Sequence, residues 1–115
     1  MKIEPFPFSV IDWDFVEVTE HSGEAGVALW RTRFFGDSEK FGKMRVRMVE
    51  YSAGYMADHW CEKGHVLLCL SGELQVSLRD GRVDTLRAGM SYQVGDDAMG
   101  HRSSSPTGAK LFIAD

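Results

Sequence analysis

His59-Trp60-Cys61 and His65 place two imidazoles and a thiol within seven residues, and His101 supplies a third imidazole farther along the chain. Imidazole nitrogen and thiolate sulfur are donors that first-row transition metals accept, so the chemistry this spacing allows is metal binding. On an extended strand alternate side chains share a face, which points His59 and Cys61 the same way. A tight turn at Lys63-Gly64 then folds His65 back beside them, and His101 completes a set of four.

Three imidazoles and a thiolate suit a divalent transition metal. Zinc is the first choice, with nickel, iron or cobalt as alternatives, whereas Mg2+ and Ca2+ prefer hard oxygen shells. One thiolate on a divalent ion leaves a net positive charge, attractive to an anionic or enolate-like ligand. Four protein donors nevertheless resemble a closed structural site. Catalysis then requires the coordination to expand, or Cys61 to stay off the metal.

The elements that must carry these donors read as β-strands. From Val27 onward, short runs rich in Val, Leu, Tyr and Phe alternate with Gly, Asp and Ser, the pattern of an all-β sandwich or barrel. The expected strands are Val27 to Phe35, Met44 to Tyr51, Ala57 to Cys61, His65 to Leu70, Glu73 to Arg79, Arg82 to Leu86, Met90 to Val94 and Lys110 to Ile113, with no convincing helix. Asp80-Gly81 is the clearest turn, as both residues tolerate positive φ. A second hairpin is expected to close around Gly36-Asp37 and Lys40-Phe41-Gly42. Residues 1–26, with Pro5, Pro7 and four aromatics, form an expected arm that packs on the barrel or on a neighbouring subunit, and residues 27–115 form the barrel.

A length of 115 residues fits one domain. Thirteen basic and seventeen acidic side chains, interleaved to a net charge of −4, leave no basic patch and argue against nucleic acid as a partner. The opening Met1-Lys2-Ile3-Glu4-Pro5 has neither the charged head nor the apolar run of a signal peptide, and no apolar run approaches bilayer length. A cytoplasmic location is expected, without a membrane partner. In that reducing compartment Cys61 and Cys69 stay unpaired. Cys69, inside Val66-Leu67-Leu68-Cys69-Leu70, reads as a small core residue.

Other side chains carry weaker signals. Tyr92 is a pocket candidate that offers a hydroxyl, with core packing as the other reading, and Glu50 is the most plausible acid near the site. Trp60, between two candidate ligands, points to the opposite face and packs behind the sheet. His21 sits in a polar loop and reads as solvent-exposed. Arg31, Arg33, Arg45 and Arg47 alternate on two strands and read as decoration of an exposed sheet face, pairing with Glu17 or Glu50. No residue stands out as a general base.

The stretch from Gly54 to Gly108 resembles the cupin superfamily of small β-barrels. The first cupin motif, Gly, five residues, His-x-His, three or four residues, Glu, six residues and Gly, is matched by Gly54, His59-x-Cys61, His65 and Gly72, with four residues after Gly54. The second motif is matched by Gly89, Gly95, Asp97, His101 and Ser105, with His101 one residue late. Leu70-Ser71-Gly72-Glu73-Leu74 and Leu86-Arg87-Ala88-Gly89 resemble cupin hairpins. Cys61 stands where the family has its second histidine and His65 where it has glutamate. Asp58-His59-Trp60-Cys61 with Lys63-Gly64-His65 resembles, more narrowly, a group of small bacterial cupins marked by an Asp, His, Cys and Trp cluster. The resemblance implies a double-stranded β-helix, or jelly-roll barrel, a homodimer, a small-molecule ligand, and dioxygenase or isomerase activity on a small organic molecule. Two alternatives accompany it: a non-catalytic module that binds a small ligand or metal, and a purely structural metal site.

Overall fold

The computed structural model describes residues 3–39 and 42–115. The described residues form nine strands: β1 (Thr19–Ser22), β2 (Val27–Ser38), β3 (Gly42–Tyr51), β4 (Tyr55–Met56), β5 (His65–Leu78), β6 (Val83–Arg87), β7 (Ser91–Val94), β8 (His101–Ser105) and β9 (Ala109–Ala114). A single 3-10 turn at Trp13–Phe15, capped by the Asp12 carboxylate accepting from the Asp14 N–H, is the one helical element among the described residues. No helix among them is long and apolar enough to cross a membrane.

All pairings are antiparallel, in the order β1-β2-β3-β9-β5-β8-β4, with β6 and β7 also pairing to β5. The 14-residue β5 joins the two halves of the roll. Its first part pairs with β7 and β9, and its second part, from Glu73, pairs with β6 and β8. The change of partner occurs at a register shift between Cys69 and Ser71, beside Gly72 at φ 76°. What the sequence pattern splits into two strands is therefore one strand with a bulge, which bends the sheet so that it rolls.

Alternate residues of β3, β5 and β9 fill the interior: Val49 and Tyr51, Leu67 and Cys69, Leu74 and Val76, Leu111 and Ile113, closed by Ala28 and Leu86. Cys69 is fully buried, and both cysteines are free thiols. The tip of β6's hairpin uses Gly81 at φ 94°, with the Leu78 and Arg82 backbones paired across it, so glycine alone adopts the left-handed conformation there.

Several expectations are corrected. Residues 57–64 do not form a strand. They are a loop, anchored where Cys61 pairs with His101, and the Lys63-Gly64 connection is held by the Gly64 N–H donating to Asp96 Oδ1 at 2.7 Å. β8 was not anticipated, because His101-Arg102-Ser103-Ser104-Ser105 lacks the apolar alternation that marks a strand. The polar stretch Thr19–Ser22 pairs as an edge strand with β2. Phe6 packs on Phe35 with ring centroids 5.2 Å apart, but Phe8 and Phe15 are 93% and 86% exposed and do not cover the barrel. His21 is exposed yet partnered, stacked on Trp30 at 3.9 Å with Nε2 3.0 Å from the Thr19 hydroxyl. In the hairpin expected near residue 40, Lys40 and Phe41 lie outside the described residues.

Candidate metal centre

Cys61 and His101 exchange both backbone hydrogen bonds, at 2.8 and 3.0 Å. In an antiparallel pair, residues opposite one another project their side chains to the same face, so this bridge sets the thiol beside the imidazole. His65 enters from the start of β5, its ring edge-on to that of His101 with centroids 4.9 Å apart. The donor atoms of Cys61, His65 and His101 all lie within 4.8 Å of one another. They face a cavity of about 310 Å3, walled also by Trp30, Tyr51, Tyr55 and Ile113.

His101 is 2% exposed. Its Nδ1 lies 2.8 Å from the Met99 carbonyl oxygen, which fixes Nδ1 as the donor and leaves Nε2 as a bare lone pair. That Nε2 is buried and has no hydrogen-bond partner among the described residues. Burial lowers the pKa of His101, against the bond to Met99, so the ring is neutral at pH 7, the form that binds a cation. A buried acceptor without a donor is costly unless something else satisfies it.

His65 is hydrogen-bonded at one ring nitrogen and faces a carboxylate with the other. Its Nε2 lies 2.7 Å from the Tyr92 hydroxyl, whereas its buried Nδ1 lies 3.5 Å from Asp115 Oδ2, too far for a hydrogen bond, and has no hydrogen-bond partner among the described residues. A carboxylate behind a ligating histidine is the usual second support of a metal centre. With Nδ1 protonated towards Asp115, Nε2 accepts from Tyr92, and a cation would displace that hydroxyl. Burial, chiefly, with Tyr51 and Cys61 nearby, raises the pKa of Tyr92 and keeps it a neutral donor.

Asp115 organises the wall behind His65. Its side chain is fully buried and accepts from Arg45 Nε at 2.8 Å, Arg45 Nη2 at 2.9 Å and Arg47 Nη2 at 3.0 Å. Burial opposes its ionisation, but the neighbouring His65, Arg45 and Arg47 outweigh that cost and hold its carboxyl well below the usual carboxylate range. Arg47 lies over the Trp30 ring at 4.4 Å. Tyr51 stacks on Tyr55 at 4.1 Å, and burial, reinforced by Tyr55, pushes its pKa up to about 12.

The donors fit a small divalent cation. Bonds of about 2.0–2.3 Å imply tetrahedral donor separations of about 3.5 Å, so the group must contract by roughly 1 Å from its widest spacing. Three protein donors are also the number at catalytic zinc sites, where water or substrate takes the remaining position.

His59 is not in this group. Its side chain is 73% exposed, at the cavity rim, with Nδ1 2.7 Å from Asp58. The strand alternation expected to align it with Cys61 is absent because the segment is a loop. Tyr92 lines the cavity as expected of a pocket residue. Glu50 does not: it is exposed on the outer face of β3, beside a separate depression that includes Lys110. The same alternation turns Arg45 and Arg47 inward, correcting their assignment to an exposed face, and Arg47 is only 5% exposed. Arg33 does pair with Glu17, at 3.7 Å on the surface. Trp60 lies under the Arg79 guanidinium, 5.0 Å away, and lines a separate pocket with Ser77 and Ser104 rather than the cavity of the donors.

No family model and no curated protein sequence matches the chain. Solved structures do. An RmlC-like cupin from Shewanella frigidimarina is 22% identical, with a TM-score of 0.66 over 97% of this chain and 89% of its own. Ectoine synthase from P. lautus is 13% identical, with a TM-score of 0.71 over 93% of this chain and 76% of its own. The Fe(II) form of HppE, in complex with the alternative substrate (S)-1-HPP, is 12% identical, with a TM-score of 0.71 over 94% of this chain and 60% of its own. At these identities the likeness carries the fold, which is the cupin jelly roll.

Proposed function

We propose that this cupin-fold protein is a metal-dependent enzyme acting on a small organic molecule, with a divalent transition metal held by Cys61, His65 and His101. The observation that carries the proposal is the buried, unpartnered Nε2 of His101 beside a thiol and a second imidazole. A soft sulfur donor with imidazoles favours zinc, with nickel, iron or cobalt as alternatives. His59 at the rim is the candidate fourth ligand. When bound, the ion would supply Lewis acidity at a carbonyl or enolate, or O2 chemistry if it is iron. The chain's own residues fix the ligands: Met99 sets the tautomer of His101, and Asp115 and Tyr92 orient His65. Of the reaction classes, dioxygenase and isomerase suit a cupin barrel, and the Fe(II) bound to HppE supports a redox-active ion in such a cavity.

The same proposal extends to a homodimer joined through the aromatic arm, a cytoplasmic location where Cys61 remains a thiol, and membership of the Asp/His/Cys/Trp group. Metal titration tests the centre. Cys61→Ser should weaken zinc more than manganese, because it removes the one soft donor. His101→Ala should release the ion while the far-UV β-sheet spectrum is unchanged. Equal losses for zinc and manganese, or full metal occupancy in His101→Ala, would sink the assignment.

A further inference from the structure

Arg45 and Arg47 have no role in holding the metal, yet both line the same cavity. They are gathered on a single carboxylate. Arg45 grips Asp115 with Nε and Nη2, and Arg47 adds Nη2, so two guanidiniums share one negative charge. Arg47 is almost fully buried, and its Nε has no hydrogen-bond partner among the described residues. A buried charged donor left unsatisfied costs free energy comparable to a lost charge-assisted hydrogen bond. Burial and the adjacent Arg45 charge both disfavour the protonated form of Arg47, so the cluster stands to gain from a further anion. Arg102, the other buried-side cation at the cavity, is already paired with Glu24 and donates to the Ala57 carbonyl. Lys63 stands exposed at the rim.

We infer that the Arg45–Arg47 pair is a carboxylate-binding subsite, and that the substrate of this cavity is a small organic monocarboxylate. The donors that Asp115 does not engage, Arg47 Nε among them, belong to planar guanidiniums of the kind that recognise carboxylates. The apolar remainder of such a molecule has Tyr51, Tyr55, Leu67 and Ile113 to lie against. A cavity of about 310 Å3 sits at the small end of ligand pockets. His65 touches the same Asp115 carboxylate that holds both arginines, so an acid anchored there has its neighbouring atoms beside the metal donors. The inference rests on the proposed metal centre for its reaction, but not for its binding.

Calorimetric titration with benzoate, benzamide and inorganic phosphate tests it, using both the zinc-loaded and the EDTA-treated full chain. Benzoate should bind both forms, and neutral, isosteric benzamide should bind at least roughly tenfold more weakly, the worth of one charge-assisted hydrogen bond. Arg45→Gln should weaken benzoate roughly ten- to a hundredfold in the EDTA-treated protein, where no metal contributes to binding. Arg45→Lys, which keeps the charge and loses the fork, should fall between them and serves if the glutamine variant does not fold. Benzoate and benzamide binding alike, benzoate binding unchanged in both variants, phosphate binding more tightly than benzoate, or no benzoate binding at millimolar concentration would each overturn the carboxylate subsite. A protein that binds benzoate but no zinc would instead overturn the metal centre and leave this subsite standing.

Discussion

Asp115 presents a fully buried carboxylate to two guanidiniums and an imidazole, and its charge state sets whether that wall of the cavity holds together. Asp115→Asn leaves Arg47 buried without its counter-ion, a change that should cost about 3 kcal/mol at pH 7. The pH dependence has a definite sign. The folded carboxyl titrates below the ordinary value of 3.8, so the stability it contributes is complete above that value. It is lost as pH falls from there towards the lowered folded value, because the unfolded chain takes up the proton first. Urea midpoints measured at pH 7 and pH 3 should show a wild-type-to-variant gap that narrows in acid; a constant gap would mean that the Asp115 carboxyl titrates no lower in the folded protein than in the unfolded chain. This residue was not legible in the sequence, since a lone aspartate after an apolar strand resembles a solvated end. Arg45 and Arg47 were within reach: Val49 and Tyr51 on the same strand define an inward parity that the two arginines share. Arginine's usual preference for the surface hid it.

At the scale of elements, β5 and the loop before it decide where the donors sit. The apolar runs on either side of Ser71-Gly72 are visible in the sequence, but their continuity through a bulge is not, because turn glycines and bulge glycines look alike. At Gly72 a methyl group would meet the carbonyl of Gly108 and the Cα of Ala109, on a backbone with φ 76°. Gly81 has φ 94° with open space around it. Alanine at either position incurs a left-handed backbone cost of about 1–2 kcal/mol, and only at Gly72 does a backbone clash add to it. Chemical denaturation should therefore show Gly72→Ala clearly less stable than Gly81→Ala; equal losses would contradict the close approach of β5 to residues 108–109. The 57–64 loop explains the partly legible site. Donor types and spacing pointed to Cys61, His65 and His101, whereas His59 was aligned with them by a strand periodicity that the backbone does not adopt. The bridge between Cys61 and His101 depends on a strand pairing some forty residues apart, which local pattern does not encode.

For the whole molecule, the barrel's core is built without the metal donors. Leu67, Cys69, Leu74, Leu111 and Ile113 are buried among strands that pair along their full length, so the site is mounted on a preformed scaffold. Stripping a metal present at about a hundredfold over its Kd removes about 2.7 kcal/mol, or roughly 10 °C of Tm for a chain of this size, and the apo protein should stay folded at 25 °C. Unfolding on chelation would instead identify a structural ion. The surface raises a second question at this scale. Ile3, Phe8, Val10 and Phe15 are 50%, 93%, 83% and 86% exposed within a short N-terminal segment, and exposed apolar side chains that cluster mark interaction surfaces. In the proposed homodimer this arm is covered by the second copy, and two serines in place of Phe8 and Phe15 remove its largest apolar contacts. Sedimentation velocity should then give a dimer for the native chain and a monomer for Phe8→Ser/Phe15→Ser, with benzoate and zinc binding retained because neither phenylalanine lines the cavity. A native chain that sediments as a monomer at micromolar concentration would refute the arm as a dimer contact.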